Sequence, residues 1–129
     1  MMDDIKKMTM GFQYYGEKSV DEARELLVYS VECYLTAINE NEEIRPYLHN
    51  YPFTSKNVEV DIYFRKIDGH TVPIGEINVA SSNQGLVTYF IDNPEGTALQ
   101  EYHEESFEEA QRIYYESLSN TSHTPTPSS

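Results

Sequence analysis

Residues 58–79 have the sequence VEVDIYFRKIDGHTVPIGEINV, and in the first eight of them apolar side chains alternate with charged or tyrosine side chains. A period of two is typical of a β-strand with one buried face. Asp68-Gly69 follows, and this dipeptide is favoured in the two-residue type I′ turns that join antiparallel strands. The stretch therefore predicts a β-hairpin whose second strand runs through residues 70–79.

The two-residue turn also predicts the register of the hairpin. It places Ile67 opposite His70, and every pair behind it follows from that one. The apolar residues of both strands then share one face. The pairs on that face are Phe64 with Pro73, Ile62 with Gly75, Val60 with Ile77 and Val58 with Val79.

An amphipathic helix precedes the hairpin. Ser19-Val20-Asp21-Glu22 is a capping box, in which serine and glutamate satisfy each other's backbone N–H groups. Apolar residues then recur at helical spacing, and Pro46 disfavours helix at the residue before it, so we expect the helix to end near Glu40. The predicted core stripe consists of Val20, Ala23, Leu27, Val31, Tyr34, Leu35 and Ile38.

Two further strands and a second helix are expected after the hairpin. Residues 81–85 favour a turn, residues 86–91 a third strand, and residues 97–102, after the turn signal at 93–96, a fourth. Ser106-Phe107-Glu108-Glu109 repeats the capping box and begins a closing helix. The predicted fold class is α+β, with an N-terminal helix, a three- or four-stranded antiparallel meander sheet and a C-terminal helix.

The domain organisation follows from these elements. A chain of 129 residues lies in the single-domain range. We predict a flexible lead over residues 1–18, one α+β domain over 19–118, and a disordered tail rich in Ser, Thr and Pro over 119–129.

The charge of the chain is strongly negative. Its net charge is −13, of which −5 lies in residues 19–48 and −6 in residues 93–129, whereas residues 1–18 are neutral. Nucleic acids and anionic lipids bind through Lys and Arg, so we expect neither as a partner. The surface then serves solubility alone or steers a basic protein partner.

The compartment is expected to be the cytoplasm. No apolar stretch approaches the length of about 20 residues that a membrane-spanning helix needs. Cys33 is the single cysteine, which fits a reducing environment. It lies at the margin of the apolar helix stripe, so we predict a buried, inert thiol.

Motifs for catalysis or cofactor binding are not found. The sequence contains no paired Cys or His spacing of the zinc type and no glycine-rich phosphate loop. His70 and His103 are interpreted as solvated. We therefore predict no metal, no cofactor and no catalytic residue.

The second face of the predicted hairpin is the candidate site. There Tyr63 faces Ile74 and Asp61 faces Glu76, beside Glu59, so an acidic end adjoins an apolar end. Directly opposed like charges destabilise a sheet, which favours a function for this arrangement. These five residues form the predicted partner-binding site.

Three functions remain open at this point. The leading hypothesis is a small non-enzymatic binding module, such as an inhibitor, an immunity-like protein or a chaperone-like adaptor, for a basic protein. The alternatives are a small enzyme that uses Asp61, Glu76 or Glu59 as a carboxylate site at the end of the sheet, and a domain that only associates with itself. The oligomeric state is left open.

Overall fold

The computed structural model describes residues 4–16, 18–70, 72, 76–92 and 99–123, with side chains given as far as Ser119. The elements in chain order are β1 (Met8–Tyr15), α1 (Val20–Asn39), β2 (Val58–Arg65), β3 (Ile77–Asn83), β4 (Leu86–Asp92), β5 (Leu99–Ser106) and α2 (Phe107–His123). Two short 3₁₀ helices, Arg45–Tyr47 and Ser55–Asn57, lie between α1 and β2. The predicted α+β class is confirmed.

The sheet has five strands in the order β1-β2-β3-β4-β5. β1 runs parallel to β2, with Met8 opposite Val58 and Tyr15 opposite Arg65, and the remaining neighbours are antiparallel. The prediction of three or four antiparallel strands is therefore wrong, because it missed β1. Residues 1–18, predicted as a lead without regular structure, supply that strand.

The pattern of β1 explains why it was missed. Its burial alternates along the whole strand, but tyrosine occurs on both faces and Gly11 interrupts the polar one. A parallel partner 50 positions away in the chain leaves no local turn signal, since parallel strands need a long crossover connection.

The two helices begin where the sequence predicts. The Glu22 N–H donates to Ser19 Oγ at 3.2 Å, and the Ser19 N–H donates to the Glu22 carboxylate at 3.1 Å. At α2 the Glu109 N–H donates to Ser106 Oγ at 3.0 Å, while the Glu109 carboxylate pairs with Arg112. α2 continues to His123 and so includes residues 119–123 of the predicted tail, and residues 124–129 lie outside the described part.

Both helices pack on one face of the sheet. Alternate residues of β2 are fully buried there and form one cluster with the inner side of α1 and the start of α2. Fully buried members of this core are Ala23, Leu27, Val28, Val31, Val58, Val60, Ile62, Phe64, Ala80, Val87, Tyr89 and Ala110.

The predicted type I′ turn at Asp68-Gly69 is wrong. The Gly69 N–H donates to the Lys66 carbonyl at 2.8 Å, and the Lys66 N–H donates to the His70 carbonyl at 2.8 Å. The central turn residues are therefore Ile67 and Asp68, and only Gly69 takes a positive φ, of 90°. This is a three-residue loop with a bulge at the glycine.

The predicted register of β2 against β3 is also wrong. Tyr63 lies opposite Val79 and Asp61 opposite Ser81, and β3 does not begin until Ile77. Ala80 and Ser82 are thereby the buried partners of Ile62 and Val60. Both small side chains lie on the face of the sheet that packs against the helices, and the turn dipeptide carries no information about that packing.

Within the described residues, a hairpin with a two-residue turn joins β3 to β4. Asn83 pairs with Leu86, and the two residues between them have φ values of 53° and 93°, as a type I′ turn requires. The turn thus occupies Gln84 and Gly85 alone, whereas residues 81–83 belong to β3. The third strand is confirmed at Leu86–Asp92, and the fourth is found at Leu99–Ser106, while the predicted turn at 93–96 and residues 97 and 98 lie outside the described residues.

Candidate functional site

The face of the sheet opposite both helices is not covered by either of them. We call it the open sheet face. Its residues follow from the registers of the five strands. They are Thr9, Gly11, Gln13 and Tyr15 of β1, Glu59, Asp61, Tyr63 and Arg65 of β2, Val79, Ser81 and Asn83 of β3, Leu86, Thr88, Phe90 and Asp92 of β4, and Leu99, Glu101, Glu104 and Ser106 of β5.

An apolar band crosses the middle of the open sheet face. Tyr63, Val79 and Phe90 are direct neighbours on three adjacent strands. Val79 is 7% exposed and Tyr63 is 37% exposed, so the band has a closed centre and an accessible aromatic end. The Tyr63 ring leans over Gly11, where an added Cβ would stand 3.6 Å from Tyr63 Cε2.

Glu59 and Asp61 form a carboxylate pair beside this band. Burial raises the pKa of Asp61 above its ordinary value, a hydrogen bond with Ser81 opposes that shift, and the nearby Glu59 adds to it. Hydrogen bonding with Asp61 and then with Lys7 holds the pKa of Glu59 below its ordinary value. Lys7 Nζ lies 3.0 Å from Glu59, so Glu59 has a direct cation partner, whereas Asp61 hydrogen-bonds with Ser81 and Glu59 and feels Lys7 only at longer range.

The charge of the open sheet face is negative. Among its described residues, carboxylates are contributed by Glu59, Asp61, Asp92, Glu101 and Glu104, and a guanidinium by Arg65. Glu101 and Glu104 are exposed on the edge strand β5. Acidic groups therefore flank the apolar band on both sides.

The structure brings three of the five predicted site residues together. Glu59, Asp61 and Tyr63 alternate along β2 and share the open sheet face. Glu76 precedes β3 and does not face Asp61, whose partner is Ser81. Ile74 lies outside the described residues, so its predicted pairing with Tyr63 is replaced by Val79.

A charged cluster on the core side of the sheet was not predicted. Arg24 Nε donates to Glu105 Oε2 at 2.8 Å and Nη2 donates to Oε1 at 2.9 Å. Tyr89 donates its hydroxyl hydrogen to Glu105 at 2.8 Å, and the His103 ring stacks on Tyr89 with Nε2 3.0 Å from Glu105. Asp21 supplies a second carboxylate to Arg24 at 2.7 Å.

The electrostatics of this cluster favour the ionised forms of Arg24 and Glu105. Burial opposes ionisation of Glu105, but hydrogen bonds from Arg24, Tyr89 and His103 outweigh it and hold the pKa of Glu105 below its ordinary value. The bond to Glu105 raises the pKa of Arg24, and burial raises that of Tyr89. Because carboxylates occupy the donors of Arg24, the cluster fastens α1 to β5 and does not offer a free anion site.

A sequence signal for the cluster exists. Arg24 lies between Ala23 and the Leu27-Val28 pair on the buried side of the helix, so a charge interrupts the apolar stripe. Such a residue needs a buried partner of opposite charge. The sequence does not identify the partner of Arg24, because Glu105 lies on a strand 81 positions further along the chain.

The remaining polar candidates stay separate from one another. Within the described ranges, no three His, Cys, Asp or Glu side chains are grouped as a metal site. His70 remains near Asp68, and His103 is exposed, as predicted, while its ring also contacts Glu105. Cys33 is exposed, not buried, because α1 meets the sheet through Leu27, Val31 and Ile38 while Cys33 turns away.

Comparisons with known proteins do not add a relationship. This chain has no significant match among protein-family models, curated proteins or solved structures. Within the described ranges, neither α1 nor α2 combines the length and apolarity needed to cross a membrane.

Proposed function

We propose that the protein is a small non-enzymatic binding module, of the inhibitor, immunity-like or adaptor kind, and that its open sheet face binds a basic protein partner. The observation that carries the proposal is the apolar band of Tyr63, Val79 and Phe90 bordered by carboxylates on a face that neither helix covers. Protein interfaces combine aromatic anchors with a polar rim in this way.

Asp61 gives the proposal a specific electrostatic basis. Its pKa is raised by burial and by the neighbouring Glu59 carboxylate, and the opposing effects of Ser81 and the more distant Lys7 do not cancel that rise. A lysine or arginine placed against Asp61 would favour its charged form and relieve that cost. The surrounding carboxylates would accelerate the encounter, since complementary charge acts chiefly on the association rate.

The proposal is tested by mapping a basic probe onto the protein. The probe is a peptide rich in lysine and arginine that carries one tryptophan, and binding is followed through backbone amide shifts. We expect the shifts to concentrate on β2, β3 and β4 around the apolar band. Shifts confined to the acidic surface of α1 would contradict the proposal.

Two matched charge-reversal variants distinguish binding of the probe at the open sheet face from a general effect of net charge. Glu104→Lys changes an exposed residue of that face, and Glu25→Lys makes the same change on exposed α1. We expect Glu104→Lys to weaken probe binding several-fold more than Glu25→Lys. Equal effects would mean that the probe responds only to net charge.

The carboxylate enzyme is the second candidate, and the raised pKa of Asp61 is the observation in its favour. It has weaker support because Glu76 does not face Asp61 and because the pair lies on an open strand surface, where water is not excluded. Activity lost in Asp61→Asn but retained in Glu25→Gln would favour this candidate.

The proposal also includes the cellular compartment and the classes of partner that the protein does not bind. We propose a cytoplasmic protein that binds neither nucleic acid nor membrane and needs no cofactor. The support is the net charge of −13, which repels phosphate-bearing ligands, and the single cysteine.

A further inference from the structure

The free edge of β1 presents unpaired backbone groups. Among the described residues, β1 is the terminal strand of the sheet and Met8–Tyr15 pairs with β2 alone, whereas Ile5, which precedes the strand, bonds with the backbone of Tyr47 and His49. The Gly16 N–H donates to the Arg65 carbonyl of β2 at 2.7 Å, which shows that backbone groups of even-numbered residues point towards β2. Since successive residues of a strand point their backbone groups to opposite sides, those of Thr9, Gly11, Gln13 and Tyr15 point to the free edge.

One of these edge groups already has a partner. The Tyr34 hydroxyl of α1 donates to the Thr9 carbonyl at 3.1 Å. This contact agrees with the assigned direction and leaves Gly11, Gln13 and Tyr15 as the open part of the edge. All three residues are exposed, and the side chains of Gln13 and Tyr15 lie on the open sheet face.

The two edges of the sheet differ in charge. β5 has the sequence LQEYHEES, with glutamates that discourage pairing with another acidic chain. β1 has the sequence MTMGFQYY, without Lys, Arg, Asp, Glu, His or Pro. It therefore lacks the charged residues and proline by which many edge strands avoid association.

The core side of β1 also remains incomplete. Met8, Met10, Phe12 and Tyr14 pack against the core but are only partly buried. A strand added beside β1 would cover the exposed parts of these side chains.

We propose that β1 pairs antiparallel with β1 of a second copy, with Gln13 opposite the same residue of that copy and Gly11 opposite its Tyr15. This pairing places a two-fold axis perpendicular to the sheet, so each copy offers the same surface. The result is a continuous ten-stranded sheet with both open sheet faces on one side. The inference does not depend on what those faces bind.

The charge distribution permits a second copy as the occupant, because the edge that would pair with itself is neutral. Two chains of net charge −13 repel each other, but residues 1–18 are neutral, so the repulsion is weakest at this edge. The two β5 strands would lie nine strand spacings apart, about 43 Å. That separation exceeds the Debye length of about 8–10 Å several-fold, so the acidic edges do not oppose association.

The test measures the mass of the full chain in solution across a concentration series. We expect the wild type to approach twice 14.9 kDa as its concentration rises. Gln13→Pro should return it to the monomer mass, because proline removes an N–H that points away from β2 and so leaves the fold intact. Gln13→Thr keeps the N–H and should remain dimeric.

Hydrogen exchange on the wild type provides a second measurement that needs no variant. The amides of Gly11, Gln13 and Tyr15 should exchange more slowly as concentration rises, while exchange along β5 stays constant. A wild type that is monomeric throughout the series would overturn the proposal. So would a dimer whose mass is unchanged in a folded Gln13→Pro variant, since it would associate elsewhere.

Discussion

Arg24 of α1 and Glu105 of β5 form a two-point ion pair inside the protein, with side chains only 7% and 5% exposed. Arg24 also lies over the Tyr89 ring, with the guanidinium carbon 5.9 Å from the ring centroid. The pair joins the first helix to the last strand of the sheet. Loss of either partner would leave the other charge buried.

Breaking this pair should destabilise the fold strongly. Glu105→Gln leaves the Arg24 charge with only exposed Asp21, and we expect a loss of about 3–5 kcal/mol in the free energy of unfolding, measured by urea denaturation. The exposed Arg112–Glu116 pair provides the control, and Glu116→Gln should cost less than about 1 kcal/mol. The double variant Arg24→Met/Glu105→Leu should recover much of the loss. Similar losses of unfolding free energy in Glu105→Gln and Glu116→Gln would contradict the expectation that the buried pair contributes more than the exposed pair.

Acid should weaken the fold through the same residue. The pKa of Glu105 is lower in the folded protein than its ordinary value of 4.5, so the ionised form contributes stability above that value. The contribution is lost as pH falls through the lower folded-state pKa. We expect the urea midpoint to fall more steeply with acid in the wild type than in Arg24→Met/Glu105→Leu. Parallel pH profiles would contradict this assignment.

Asp61 should have the opposite effect. Burial raises its pKa above the ordinary value of 3.8, so the charged form costs stability at neutral pH, and the cost disappears as pH falls below that value. Asp61→Asn should therefore raise the melting temperature at neutral pH, with a gain that shrinks in acid. Glu25→Gln on exposed α1 is the control and should change little. A lower melting temperature for Asp61→Asn at neutral pH would show that the carboxylate contributes more as an acceptor than it costs as a charge.

Ser82 should tolerate loss of its hydroxyl. Ser82 is fully buried on the helix-covered side of the sheet, and its Oγ has no hydrogen-bond partner among the described residues. Removing an unsatisfied buried hydroxyl relieves a desolvation cost, so Ser82→Ala should be neutral or stabilise by up to about 1 kcal/mol in thermal unfolding. Ser81→Ala, which removes the hydroxyl beside Asp61, should instead destabilise slightly. A clear loss of stability in Ser82→Ala would indicate that the hydroxyl is satisfied.

Part of the candidate site could be predicted from the sequence. The alternation in residues 58–65 alone puts Glu59, Asp61 and Tyr63 on one face of a strand, and the structure confirms that they share a face. Their neighbours were predicted wrongly because the turn at Asp68-Gly69 was used to align the next strand. The observed partners, Val79 and Ser81, lie five positions beyond the predicted ones.

The sequence by itself determined the features that depend on neighbouring residues: the capping box at Ser19, the amphipathic helices, the half-buried strand at 58–65 and the α+β class. Only the tertiary structure decided that β1 joins β2 in parallel, that Ala80 and Ser82 pair with Ile62 and Val60, and that Arg24 meets Glu105. The physical reason is the separation along the chain between the residues that interact. Helix periodicity, caps and strand alternation arise within a few residues, whereas strand order, register and buried ion pairs minimise the free energy of packing between segments far apart in the chain.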